Sequence, residues 1–338
     1  MRAAIVIVLA LSAGLAPTSP AAAHHSPAMF DTTRELVLAG TIVEYAWRNP
    51  HIYLAIAMQG QDGTRVVQQI EAGPASNLSP AGLKADSLSI GERVTVRANP
   101  SRSGLGRVVA GVSLTKSDGT VLPLNVRAIA ATAPSTAAAS SLAGTWVPQA
   151  AAFSRLARAA TGWPLTDAGR AAIAANRDAM QAARAQCVPF GPPALMSMPL
   201  TIQVDMSPNT VTFALDVADV RRVIHLDQAE QPANVAPSLL GHSIGHFEGD
   251  VLVVDTTGFL AHAEGYAFDL PSSASKRMVE RFSLSEDRKH LDYEITVEDR
   301  EYFSAPLTHR GQWDYRPDQR PTGLPCDVDV ARRFIINE

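Results

Sequence analysis

The chain has 338 residues, of which 46% are apolar and 18% charged, with a formal net charge of −4. That balance is ordinary for a globular protein, and the length exceeds what one hydrophobic core usually fills, so two domains are expected. No basic stripe interleaved with aromatic residues occurs, so nucleic acid is not an expected partner.

Residues 1–23 read as a secretory signal peptide. Arg2 gives a positive start, Ala3 to Leu15 an uncharged and almost wholly apolar run, and Ala21 and Ala23 the small positions before a cleavage site. The run is shorter than the roughly 20 residues that cross a bilayer as a helix. No integral membrane segment is expected once the signal is removed. Cleavage after Ala23 makes His24 the first residue and places the chain in the periplasm or outside the cell. The freed α-amine and the His24 imidazole can then close a chelate ring, and His25 adds a third nitrogen.

Residues 24–127 predict a small barrel of the OB type. Leu36 to Tyr45 alternates, with Gly40 marking a bulge or bend. His51 to Met58, a Gly60–Gly63 turn and Thr64 to Ala72 follow as two more strands. A short helix is expected over Asn77 to Leu83, capped by Ser79. Gly91 to Ala98, Arg107 to Thr115 and Val121 to Leu124 complete the set.

His24-His25-Ser26, Phe30-Asp31 and Trp47-Arg48-Asn49-Pro50-His51 resemble an uncharacterised family of small secreted proteobacterial proteins. Its members open on His-His-Ser and carry Trp-x-Asn-Pro-His after the first strand. That resemblance implies no activity. The Asn49-Pro50 turn aims His51 from the head of its strand. If the N-terminal arm folds back there, His24, His25 and His51 converge, with Asp31 or Glu71 as an oxygen ligand. Imidazoles with an amine suit copper first, then zinc or nickel. The alternative is a mobile polar terminus, with His51 packing beside Trp47.

Residues 128–143 are rich in Ala, Ser and Thr and predict an exposed linker. Beyond it, residues 144–338 predict an up-and-down, lipocalin-like β-barrel with one inserted helix. Gly144-Thr145-Trp146 opens a strand. Thr166 caps a helix from Asp167 to about Ala185, with Ala172, Ile173 and Met180 inward. Cys187 to Pro199, with its four prolines, reads as a loop. About eight hairpin-linked strands then follow, among them His242 to Phe247 and Val251 to Thr257 around Glu248-Gly249-Asp250. Cys187 and Cys326 are expected to pair in an oxidising compartment.

Gly144-Thr145-Trp146 resembles the Gly-x-Trp opening of lipocalins. Leu240 to Phe259, with Val279-Glu280-Arg281-Phe282 after it, resembles a second secreted bacterial family without assigned activity. Strand parity places Glu280 with Met278, Phe282 and Leu284, Arg222 with Val220, Ile224 and Leu226, and Asp255 with Val251 and Val253. An interior Glu280–Arg222 pair is therefore expected. Arg222, Glu280 and Asp255 are the ligand-binding candidates, and Glu280 and Asp255 the candidates for a general acid or base. The other reading is an internal ion pair that only fixes the core. His242 and His246 would stand about 13 Å apart on a strand, too far to share an ion. His290 and His309 read as surface positions.

The functional expectation is an exported small-ligand-binding protein. A transition metal would bind at the first module and a lipophilic molecule inside the second barrel. A barrel hydrolase or isomerase using an internal carboxylate, and an assembly protein, remain as alternatives.

Overall fold

The computed structural model describes residues 30–60, 62–102, 108–125, 135–149, 151–152, 155–156, 162–267 and 270–333. The signal stretch, His24, His25 and much of the linker lie outside them. Among the described residues no helix is long and apolar enough to cross a membrane.

The first module is the expected small barrel. Strands β1 (Leu36–Ala46), β2 (Tyr53–Gln59), β3 (Arg65–Glu71), β4 (Arg93–Asn99) and β5 (Val108–Lys116) close through a β3–β5 pairing, and β6 (Val121–Pro123) extends β5. Five strands in a ring cannot alternate direction all the way round, so one neighbouring pair must run parallel. That pair is β3–β5, from Gln69↔Val108 to Glu71↔Ala110. β1 bends at a register shift between Ile42 and Glu44. Gly40, expected to mark the bend, instead permits close packing: a Cβ there would stand 2.7 Å from the Ala57 carbonyl oxygen. The short helix α1 (Ala75–Leu78) begins after Pro74, and Ser79 closes it rather than opening it. Ile42, Leu54, Ile56, Ile70, Val96 and Leu114 fill an apolar interior.

The second module closes nine strands. In spatial order they are β7 (Gly144–Pro148), β8 (Ile202–Met206), β9 (Thr210–Leu215), β10 (Val220–His225), β11 (His242–Glu248), β12 (Val251–Thr257), β15 (Arg277–Leu284), β16 (His290–Glu298) and β17 (Leu307–Tyr315), which returns to β7. A small hairpin that was not expected, β13 (His262–Ala267) with β14 (Leu270–Ser272), interrupts the meander. The ring is again odd, so a pure up-and-down barrel is excluded. Its parallel seam is β10–β11, with only two register pairs, Ile224↔Ser243 and His225↔Ile244.

The inserted helix is two helices, α2 (Asp167–Ala175) and α3 (Arg177–Ala185). Thr166 caps α2 as expected, its side chain accepting from the Gly169 amide. The break falls at Asn176, a buried residue whose side-chain amide donates to the Ala263 carbonyl. The proline-rich stretch after Cys187 hides a further helix, α4 (Ala194–Ser197), whose four residues are all buried. It lies against the barrel core, where the Trp313 indole donates to the Met196 carbonyl at 3.0 Å.

Two segments depart from the expected independence of the modules. The end of the linker is not an exposed connector, since Ala139 and Leu142 are buried in the second core. The C-terminal stretch crosses to the first module. Leu324 packs on its core, the Asn49 side-chain amide donates to the Leu324 carbonyl at 2.8 Å, and the Asp327 amide donates to the Asn49 carbonyl. Cys326 in that stretch is disulfide-bonded to Cys187, as expected, and α5 (Val328–Arg333) follows it.

Candidate functional site

Three places in the molecule gather the expected site residues or the space for a ligand. The first is the interior of the second barrel. Arg222 and Glu280 both point inward and form the expected pair, with Arg222 Nη1 donating to Glu280 Oε1 at 2.9 Å and Nη2 to Oε2. The guanidinium also donates to Ser243 Oγ and to Thr256 Oγ1, the latter at 2.8 Å. These bonds link β10, β11, β12 and β15. They therefore cross the short parallel seam where the backbone ladder is weakest.

Asp255 does not join them. The apolar run Val251 to Val254 gives both faces of β12 the same character, so parity alone chose the wrong one. Pairing of Val254 with Glu280 turns Leu252, Val254 and Thr256 inward. Asp255 faces outward in a two-pronged pair with Arg277 at 3.0 and 2.9 Å. The rest of the interior is occupied by Trp146, Phe213, Phe282, Tyr293 and Trp313, all at most 3% exposed. Phe213, Phe282 and Trp313 pack with ring centroids 5.3 to 5.6 Å apart. His309, expected at the surface, faces inward beside Tyr293, its Nε2 3.1 Å from the phenol oxygen. Burial, with Arg155 adding to it, pulls its pKa down to about 4.

One end of this barrel holds polar residues that sequence reasoning missed. Lys276 is 2% exposed; its Nζ donates to the Pro192 carbonyl at 2.8 Å and stands 4.3 Å from the Phe259 ring centre. Burial pulls its pKa down to about 7. Asp299 accepts from the Tyr266 hydroxyl and from the amide and hydroxyl of Ser273. Lys276 precedes β15 by one residue and stands outside the alternation, so strand parity says nothing of its burial.

The second place is the opposite mouth of the barrel. Met206, Phe247 and Leu284 end β8, β11 and β15 on the inward parity, the same side as Val204, Gly245 and Phe282. Yet Met206 is 39% and Phe247 42% exposed. With Leu142 they line a vestibule of about 380 Å³, rimmed by Ser140, Asp250, Glu286 and Arg288. The linker forms one wall. Arg288 clamps it, donating from Nε to the Ala139 carbonyl at 2.8 Å and from Nη2 to the Ser140 carbonyl. A larger open groove of about 710 Å³ lies over β15, β16 and β17. Its charges are mostly taken up by neighbours, Arg281 by Glu248, Arg310 by Glu294 and Asp292 by Gln312.

The third place is His51. Its Nδ1 stands 2.9 Å from Glu71 Oε1 and 3.1 Å from the Ala72 carbonyl oxygen. Both are acceptors, so Nδ1 carries the proton. Burial opposes the charged ring, but the Glu71 carboxylate and the Ala72 carbonyl outweigh it and hold the pKa above its usual value. Glu71 is thus placed to orient the imidazole. Asp31 is elsewhere. Its amide donates to the Pro100 carbonyl, and its carboxylate accepts from Thr33. Phe30 bridges to Ser101 beyond the end of β4, whereas Glu71 ends β3. Among the described residues no three metal-binding side chains come together. His242 stacks on His225 across the parallel seam, centroids 4.8 Å apart, with its Nε2 on the Gln228 side-chain oxygen.

No curated protein and no solved structure matches the chain. Residues 13–110, which take in the first barrel as far as β5, are similar to a family of unknown function, DUF6152.

Proposed function

We propose that the protein is an exported small-ligand-binding protein whose second barrel receives a small apolar molecule at its mouth. The observation that carries this is the exposed pair Met206 and Phe247, with the partly buried Leu284 beside them. Side chains on the inward parity of a closed barrel are normally buried, and an exposed apolar cluster around a concavity of ligand size is where binding concentrates. The packed aromatic layer beneath gives such a ligand a floor. The vestibule lies at the rim of the barrel. The Cys187–Cys326 disulfide supports export, because such bonds persist in oxidising compartments. Glu280 is engaged by Arg222 and sealed from solvent, which favours a structural role over acid–base chemistry.

N-phenyl-1-naphthylamine, a neutral apolar fluorophore, tests the reading. It is expected to bind one saturable site on the purified mature protein, and Phe247→Ser is expected to weaken it at least several-fold. Absence of saturable binding, or equal binding by the variant, overturns the proposal.

One observation favours a second reading, copper uptake by the first module. A histidine that ligates metal commonly gives its other ring nitrogen to a carboxylate or carbonyl, as His51 does to Glu71 and Ala72. His24 and His25, or zinc or nickel in place of copper, would complete that arrangement. Copper titration of the mature chain against His51→Ala, and against a form with one extra N-terminal Ala, is expected to show affinity falling in both. Unchanged affinity ends this reading.

A further inference from the structure

We infer that the ligand class of the barrel mouth is a lipophilic organic cation. This rests on the proposed binding role of the vestibule and adds the charge of its occupant. The apolar part of the lining supplies no preference for charge. Met206, Leu142 and Leu284 are aliphatic or thioether groups, and Met adapts to many shapes. Phe247 does discriminate, because its half-exposed ring offers a negative face that attracts a cation and repels an anion.

The rim discriminates further. Its ionic side chains are Asp250, Glu286 and Arg288. Arg288 is turned onto the linker, where the Ala139 and Ser140 carbonyl oxygens accept its protons. Its backbone carbonyl also accepts from the Ala139 amide. Its donors are thereby directed at the wall, and its one positive charge is outnumbered by the two carboxylates of the described lining. Asp250 follows Gly249 in the β11–β12 hairpin and Glu286 stands in the β15–β16 turn, and both exposed acidic residues border the opening. An occupant with an apolar body and a positive centre meets the aliphatic wall, the Phe247 ring and two carboxylates together. An anion of the same body meets the two carboxylates and the ring face unfavourably.

Tetraphenylphosphonium and tetraphenylborate are nearly the same shape and carry opposite charge, so they separate the two contributions. Calorimetric titration of the mature protein is expected to show the phosphonium binding about tenfold more tightly than the borate, the sum of two modest, partly screened charge contacts and a ring contact. The preference is expected to shrink as salt is raised. Asp250→Asn with Glu286→Gln, two surface changes that leave the core intact, should remove most of the difference while N-phenyl-1-naphthylamine binds as before. Equal affinity for the two ions, or tighter borate, overturns the charge inference and leaves the vestibule as an apolar site. Failure of the neutral fluorophore and of both ions overturns the proposed function itself.

Discussion

The two barrels solve the same closure problem with different interiors. Each ring is odd, so each must contain one parallel seam: β3–β5 in the first and β10–β11 in the second. The first seam has three register pairs and encloses a core whose buried cluster is aliphatic. The second has two pairs, and behind it sit Arg222, Glu280, Ser243 and Thr256. In the small barrel side-chain packing covers the seam. In the larger one an ion pair and two hydroxyls tie its strands where backbone bonds are few.

The sharpest way to break this contrast is to remove one half of the buried pair. Glu280→Ala strands the Arg222 charge and should cost about 3–5 kcal/mol. Denaturant melts are expected to show the second barrel unfolding early with the first unaffected. Arg222→Met with Glu280→Leu together should recover most of that loss. If the single variant costs nothing, the seam does not depend on the pair.

Next in size is the link between the modules. Cys187 and Cys326 are 139 residues apart and hold the C-terminal stretch that docks on Asn49. Cys326→Ser should cost about 2–4 kcal/mol. It should also separate the melting of the two barrels, which calorimetry would resolve as two transitions. A single unshifted transition would show that the docking contacts suffice alone.

A smaller effect concerns the buried amine. Lys276 is held near pKa 7 by burial, whereas an unfolded lysine titrates near 10.5. The unfolded chain binds more protons between those values, so this residue makes stability rise with pH from about 7 towards 10.5. Lys276→Met should flatten that rise and add about 1 kcal/mol at neutral pH. Urea melts across the range would measure both.

The smallest belongs to the first barrel. His51 has a raised pKa, so its pairing with Glu71 stabilises the fold below about pH 6.5 and is lost as pH rises through the folded value. Because the ring is partly exposed, the effect should stay below about 1 kcal/mol. Glu71→Gln should abolish it, and chemical-shift titration of His51 would show the pKa fall.

Reading outward from the chain, the β-branched alternation and the glycine-bearing turns carried nearly every strand, and parity found Glu280 and Arg222. Parity failed at Asp255 because β12 is apolar on both faces there, so only its partner strand could choose. The helix α4 was hidden among prolines, which read as a loop wherever they cluster. The vestibule was invisible for a different reason. Met206 and Phe247 each look like ordinary core residues, and their exposure beside Leu284 comes from where separate strands stop.

The sequence by itself determined that there are two β modules, how their strands alternate, that two cysteines pair and which two charges meet inside. Those features follow from local periodicity and composition. Tertiary structure alone decided the parallel seams, the outward turn of Asp255, the docking of the C-terminal stretch on Asn49 and the open mouth. Each of these depends on how many strands close the ring and where each one ends, and no stretch of chain carries that information by itself.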